Sequence, residues 1–292
     1  MSQVVMINGQ LVPPKEASVS VFDRGFLYGD SVFETLRTYN GVPFRMDLHM
    51  ERLAWSAERV LIPLPVTLES LALEIEAAVR AADNPDSYVR VVVTRGTADT
   101  LGLDPALSIH PTRVVLVGPL HPPHQEAYQN GVSVITYRTA RVSDQTVASG
   151  AKVGNYLVAV LAMHEAKQKG AVEALILDGV GRVLEGATSN VFAVRSGTLA
   201  TPPLDLGILP GITRRVVMEL AVQLGLVVHE QPIGLAELLD ADEVFISSSI
   251  REVLPVVAVD ERKIAQGTPG HITQRLMAAF HELTRNQGSH ER

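Results

Sequence analysis

The sequence contains no cysteine. That excludes a disulfide, a thiolate nucleophile, a cysteine-ligated zinc and an iron–sulfur cluster, and no metal site is expected. It also lacks long apolar runs. Apolar runs such as Val114–Val117 are strand-sized, and none approaches the roughly 18 residues that suggest a membrane span. The N-terminus, Met-Ser-Gln-Val-Val-Met-Ile-Asn-Gly-Gln, has neither the basic segment nor the apolar stretch of a signal peptide. The expectation is a cytoplasmic chain with no membrane partner. Basic stretches are missing too: 25 Lys+Arg stand against 32 Asp+Glu, a net charge of −7. That balance argues against nucleic acid as a partner. No G-x-G-x-x-G follows a strand pattern, so a Rossmann cofactor site is unsupported. Internal repeats and low-complexity tracts are absent. Lysine is scarce, with five in all: Lys15, Lys152, Lys167, Lys169 and Lys263.

What is present is an ordinary globular composition, 46% hydrophobic and 20% charged over 292 residues. At roughly 150 residues per domain, this length suggests two domains. Val4–Ile7 precedes Asn8-Gly9, a hairpin signal that Asn40-Gly41 repeats after a strand-like Asp30–Tyr39. Asp47–Val60 and a run capped by Thr67 read as helices. Tyr88–Thr94 and Thr112–Val117 read as buried strands. The segment Pro119–Asn130, with three prolines and no apolar periodicity, reads as an interdomain linker. Beyond it strand and helix patterns mix: Val132–Tyr137, a helix near Asn155–Lys169, Val172–Leu177, Val191–Val194, a helix near Ile212–Leu224, Glu243–Ser247, Val253–Val259 and a closing helix over Pro269–Arg285.

Three segments carry candidate chemistry. Lys152 lies in Ser149-Gly-Ala-Lys-Val-Gly-Asn-Tyr156, where small neighbours let another molecule approach. The other four lysines lie at a helix end or in turn-like polar segments. Lys152 reads either as a solvated loop residue or as an amine able to form a Schiff base. Glu185 precedes a glycine–small–hydroxyl stretch, Gly-Ala-Thr-Ser-Asn190, that runs into apolar residues. It reads as a solvated strand-edge acid or as a carboxylate that keeps a bound heterocycle protonated. Gly211 stands just before a helix whose first N–H groups, at Ile212 and Thr213, suit a phosphate. Ser247-Ser-Ser249 offers further donors, or is simply a turn.

Together these segments resemble the class IV aminotransferases, the fold type IV pyridoxal-phosphate enzymes. The blocks that carry the resemblance are Tyr28-Gly-Asp-Ser-Val-Phe-Glu34, His49-Met-Glu-Arg-Leu53, Lys152 with Asn155, Glu185-Gly-Ala-Thr-Ser-Asn-Val-Phe192 with Leu199-Ala-Thr201, Leu209-Pro-Gly-Ile-Thr-Arg214, and Phe245–Pro255. They fall in the family's order over nearly the whole chain. The resemblance implies an α+β (mixed α/β) fold. A small N-terminal α/β domain is expected over residues 1–119, a linker over 120–130, and a larger C-terminal domain with a barrel-like β core over 131–292. It implies pyridoxal 5'-phosphate as cofactor and a homodimer or larger homo-oligomer. Lys152 is then the Schiff-base lysine and proton shuttle, and Glu185 pairs with the pyridine nitrogen. Arg52, the Ile212 and Thr213 amides and Ser249 contact the phosphate, and Tyr156 the ring hydroxyl.

The substrates implied are an amino acid and a 2-oxo acid such as 2-oxoglutarate. Within the family the branched-chain aminotransferases are the nearest resemblance. Tyr88-Val-Arg90 resembles their carboxylate-side Tyr-x-Arg. Tyr28 and Phe33 match aromatic positions of their side-chain pocket, and Arg95 is a second carboxylate candidate. Thr100 and Gly102 stand where D-amino acid aminotransferases carry an arginine and a histidine. Ser248-Ser-Ile-Arg251-Glu-Val-Leu-Pro255 resembles instead the aminodeoxychorismate lyases. A lyase, or a D-amino acid or R-amine transaminase of the same fold, is therefore the alternative.

Overall fold

The computed structural model describes residues 2–108, 110–138, 148–285 and 287. They form two compact units. One takes the described residues of Met1–His121, Ala151–Asn155 and Thr284–Arg292; the other those of Pro122–Gly150 and Tyr156–Leu283.

The first unit contains β1 (Val4–Ile7), β2 (Gln10–Val12), α1 (Arg24–Tyr28), β3 (Ser31–Tyr39), β4 (Val42–Pro43), α2 (Met46–Arg59), α3 (Leu68–Ala82), β5 (Ser87–Thr94) and β6 (Thr112–Pro119). The strands make one antiparallel sheet in the order β2-β1-β6-β5-β3-β4. Two hairpins set its register. Asn8 and Gly9 both have positive φ, as do Asn40 and Gly41, the backbone a two-residue hairpin turn needs. Thr67 caps α3 by accepting from Ser70 N. Strand alternation then decides which side chains meet the helices. Val32 and Leu36 of β3, with Val89, Val91 and Val93 of β5, pack on Leu53, Ala57, Leu71 and Ile75 of α2 and α3. Each of these valine, leucine and isoleucine side chains stabilises the unit by about 1.5–3 kcal/mol. Glu34 shares this helix-covered face. Phe33, Tyr88 and Arg90 occupy the other.

The second unit contains α4 (Gln125–Asn130), β7 (Val132–Arg138), α5 (Leu157–Gln168), β8 (Ala174–Leu177), β9 (Arg182–Gly186), β10 (Asn190–Arg195), β11 (Thr198–Thr201), α6 (Ile212–Gln223), β12 (Val228–Glu230), β13 (Ile233–Gly234), α7 (Leu235–Leu239), β14 (Glu243–Ser248), β15 (Glu252–Val259), β16 (Arg262–Lys263) and α8 (His271–Arg285). Its ten strands run in the order β12-β11-β10-β14-β15-β7-β8-β9-β13, with β16 on β15, in a curled, half-barrel sheet. The parallel pairs β15–β7 and β7–β8 sit inside an otherwise mostly antiparallel path. Phe192 and Phe245, opposite one another on β10 and β14, stack with ring centroids 4.7 Å apart. The architecture is the mixed α+β one expected.

Two segments differ from their sequence reading. The stretch 120–130 is not all linker: α4 fills its second half, and Ala127 and Tyr128 pack against the second unit's core. Fewer than two helical turns with two apolar contacts leave no periodicity to read. Residues 151–155 belong with the first unit although they lie inside the expected C-terminal domain, because their backbone extends the edge of β3. No helix among the described residues is long and apolar enough to cross a membrane.

Candidate active site

In the first unit the chain around Lys152 is laid along the start of β3, on the part of its edge that β4 does not reach. Phe33 N donates to Lys152 O at 3.0 Å, and Gly154 N donates to Ser31 O at 2.8 Å. Val32 and Val153 form an antiparallel bridge. On the other side Lys152 N donates to Ser56 Oγ of α2 at 3.1 Å. Both backbone polar groups of the lysine are therefore fixed. Its amine lies 4.5 Å from the centroid of the Phe33 ring. The Arg90 guanidinium carbon lies 3.9 Å from the same centroid. The register explains the second contact. Phe33 pairs with Val92 and Thr35 with Arg90, so Phe33 and Arg90 are diagonal neighbours on one face. A buried ring thus holds an amine and a guanidinium beside it by cation–π attraction.

Behind this face Glu34 is fully buried. Its Oε1 accepts from Arg52 Nε and its Oε2 from Arg52 Nη2, both at 2.7 Å. Its Oε2 also lies 2.7 Å from His49 Nδ1. Burial alone would raise the Glu34 carboxyl, but the Arg52 charge and the hydrogen bonds from Arg52 and His49 outweigh it and hold the group down at about 2. For His49 burial lowers the proton affinity, and the positive charges of Arg52 and Lys152 add to this against the pull of Glu34. A neutral His49 then carries its proton on Nδ1, donated to Glu34.

The remaining expected residues of this unit divide. Tyr88 is half-buried on the Phe33 face. Tyr28, at the end of α1, is 41% exposed, with the Arg24 guanidinium 5.3 Å from its ring centroid. Arg95 is engaged otherwise than as a carboxylate receptor. Its Nε and Nη2 donate to Asp30 at 2.7 and 3.0 Å, and its Nη1 and Nη2 to the carbonyls of Leu61 and Val60. With every guanidinium nitrogen engaged and the residue 5% exposed, Arg95 ties β5 to the end of α2.

In the second unit Glu185 stands on β9, and its Oε2 accepts from Leu209 N at 3.1 Å. Leu209 O in turn accepts from Asn190 Nδ2 at 3.0 Å. Gly211, at the N-cap of α6, lies so close to Asn190 that a Cβ there would collide with the asparagine's side-chain oxygen. The acid, the asparagine and the Pro-Gly loop are thus one packed piece. Gly211 gives α6 no side-chain cap, so the first-turn amides at Ile212 and Thr213 remain to meet a ligand. Arg214 anchors that turn by donating to Pro202 O and Glu230. Ser247, paired with Asn190 across the sheet, has a buried Oγ with no partner among the described residues. Ser249 begins the turn after β14, and Tyr156 is the half-buried N-cap residue of α5. An uncapped helix start, an orphaned buried hydroxyl and a strand-borne carboxylate fit a phosphorylated, protonatable ring. Among the described residues no group of acids and histidines could hold a metal.

Arg251 has a structural place in this unit. Its Nη1 donates to Glu173 Oε2 at 2.9 Å and to Thr188 Oγ1 at 2.6 Å. The fully buried Glu173 also accepts from Thr188 Oγ1 and Ser189 Oγ. Sequence reasoning assigned no role to Glu34, His49, Ser56 or Glu173. A signal existed for two of these: His49, Arg52 and Ser56 recur at i, i+3 and i+7, one helix face.

Comparison with known proteins identifies the family. The family model for amino-transferase class IV matches residues 31–259. A putative branched-chain-amino-acid aminotransferase of Methanocaldococcus jannaschii is 40% identical, covering 97% of both chains. A D-alanine aminotransferase of Bacillus licheniformis is 35% identical, over 94% of this chain and 95% of its own. Among solved structures, the branched-chain amino acid aminotransferase of Escherichia coli superposes with a TM-score of 0.92 at 32% identity, over 99% of this chain and 96% of that one. The branched-chain amino acid aminotransferase of T.th., complexed with N-(5'-phosphopyridoxyl)-L-glutamate, gives 0.90 at 33%, over 97% and 94%. The chain belongs to the class IV aminotransferases.

Proposed function

We propose that this chain is a pyridoxal-phosphate-dependent aminotransferase that moves the amino group of a branched-chain L-amino acid to a 2-oxo acid such as 2-oxoglutarate. The observation that carries the reading is the shared Phe33 ring, with the Lys152 amine at 4.5 Å and the Arg90 guanidinium at 3.9 Å. An amino acid offers one acidic Cα–H and one carboxylate. A positioned amine can move the proton, and a guanidinium can take the carboxylate through two hydrogen bonds.

Bound pyridoxal phosphate supplies an electron sink for the pair released when the Cα–H bond breaks. Lys152, held by its backbone, would take the proton from the substrate Cα and deliver it to the cofactor carbon that carries the transferred nitrogen. Glu185 would keep a proton on the pyridine nitrogen, and Tyr156 would hydrogen-bond the ring hydroxyl. Arg52, the Ile212 and Thr213 amides and Ser249 hold the phosphate. Arg90 and Tyr88 orient the substrate carboxylate, and Phe33 and Tyr28 supply apolar contact for a branched side chain. The partner in assembly is a second copy of the chain. Leu157, Val160 and Leu161 of α5 are 65%, 58% and 51% exposed, an apolar face of the kind that marks an interface.

A D-amino acid reading has one observation in its favour, the 35% identity to a D-alanine aminotransferase. Thr100 and Gly102 weigh against it, since neither can pair with a carboxylate as an arginine and a histidine can. A half-reaction panel separates the readings. The cofactor-loaded protein is mixed singly with L-leucine, L-glutamate, D-alanine and an R-amine, and loss of the cofactor's visible band is followed. L-leucine and L-glutamate are expected to discharge it. Rapid discharge by D-alanine with none by L-leucine would overturn the branched-chain reading.

A further inference from the structure

Glu34 is a fully buried carboxylate of the first unit, and no role for it follows from the reaction as described. Both of its oxygens are occupied by residues of a single helix face, His49 and Arg52 on α2. The same face continues to Ser56, which holds the Lys152 backbone. Arg52 presents five N–H donors in a rigid plane. Glu34 takes one from Nε and one from Nη2 in a bidentate pairing that fixes the plane's rotation and tilt. A long, unpaired arginine would lose several torsional freedoms on gripping an anion; one already clamped at its inner edge loses little. The His49 proton, aimed at the same carboxylate, prevents Glu34 from rotating away.

We infer that Glu34, braced by His49, is a positioning residue that pre-orients Arg52 for the phosphate of the cofactor. The inference rests on the reading of Arg52 given above. It predicts that the contribution of Glu34 appears specifically in phosphate recognition. Bonds to the pyridine ring would be unaffected.

The test compares the affinities of the apo-protein for pyridoxal phosphate and for pyridoxal, which lacks the phosphate, by spectroscopic titration. The wild-type chain is expected to prefer the phosphorylated form strongly. Glu34→Gln, which keeps the shape but removes the charge, should cut that preference about tenfold or more while leaving pyridoxal affinity near wild type. In an Arg52→Ala background the same substitution should cut it no further, because the arm it positions is gone. Should Glu34→Gln fail to fold, Glu34→Asp retains the charge at a shorter reach, and an intermediate loss of preference is expected. A folded Glu34→Gln or Glu34→Asp protein with the full wild-type preference would overturn the inference. A wild-type protein that binds both forms equally would overturn the assignment of Arg52 itself, a distinct failure.

Discussion

The backbone N–H of Lys152 donates to the buried hydroxyl of Ser56, 96 positions earlier in the chain, at 3.1 Å. The lysine is therefore located by its main chain on one side, while its amine lies 4.5 Å from the Phe33 ring centroid. Ser56→Ala removes the acceptor and leaves a partly buried N–H without it. That should destabilise the protein by about 1–3 kcal/mol. Discharge of the cofactor band by L-leucine should slow, because a small displacement of a catalytic group costs rate. Denaturant unfolding and stopped-flow absorbance measure the two effects. A wild-type discharge rate in a destabilised variant would confine Ser56 to a role in stability.

Arg95 and Arg90 make opposite predictions although both were candidate carboxylate receptors. Arg95 is enclosed by Asp30 and two carbonyls, and burial of Asp30 is outweighed by hydrogen bonds from Arg95 and Arg24, which hold its carboxyl below its ordinary range. Stripping a buried charge of its only partner typically costs about 3–5 kcal/mol; Arg24 stays on Asp30, so Arg95→Ala should cost less than that but still destabilise the protein measurably in urea. Arg90→Ala should unfold near wild type but raise the KM for L-leucine, by about tenfold or more if one bidentate pairing is lost. Unchanged stability with a raised KM in Arg95→Ala would reverse the roles.

These two arginines show how far the sequence could be read. The motif order singled out Lys152, Glu185 and Arg52 as candidates, and the Asn-Gly hairpins and the Thr67 cap are local chemistry that needs no tertiary context. What could not be read were partners brought together across strands. Nothing near Arg95 in sequence indicates Asp30, 65 positions away, and nothing near Arg52 marks Glu34 as its clamp rather than a solvated strand residue. Within residues 120–130 the helix Gln125–Asn130 was not legible for the opposite reason: fewer than two turns with two apolar contacts lie below what periodicity can detect.

The buried Glu34–His49 pair predicts an acid-sensitive fold with a definite sign. Glu34 has a folded value of about 2 against an ordinary 4.5. Its stabilisation is present above the ordinary value and is lost as pH falls from there through about 2. His49 is lowered from 6.5 by burial, against Glu34 and with the charges of Arg52 and Lys152. The unfolded chain therefore takes up the histidine proton first, and stability falls as pH drops below about 6.5. Urea unfolding between pH 8 and 3 should show decreasing stability through this range. His49→Gln should flatten the upper part, nearest pH 6, and leave the lower part. Stability that rises on acidification from pH 7 to 5 would show that His49 is protonated in the folded state.

Arg251 resembles the lyase branch in sequence, but its guanidinium is held by Glu173 and Thr188. Glu173 is fully buried and accepts hydrogen bonds from Thr188 and Ser189, which follow Glu185 by three and four residues. The arginine therefore compensates a buried charge beneath the turn that leaves β9. Arg251→Ala strips that compensation and should cost about 3 kcal/mol, with Thr188 and Ser189 left to satisfy Glu173. Reaction type should not change: L-leucine should still discharge the cofactor band, and L-glutamate formation from 2-oxoglutarate should remain. Were Arg251 instead a determinant of elimination chemistry, wild-type protein would release pyruvate from aminodeoxychorismate and Arg251→Ala would not. Assaying both proteins with both substrates decides between a structural cation and a reaction-determining one.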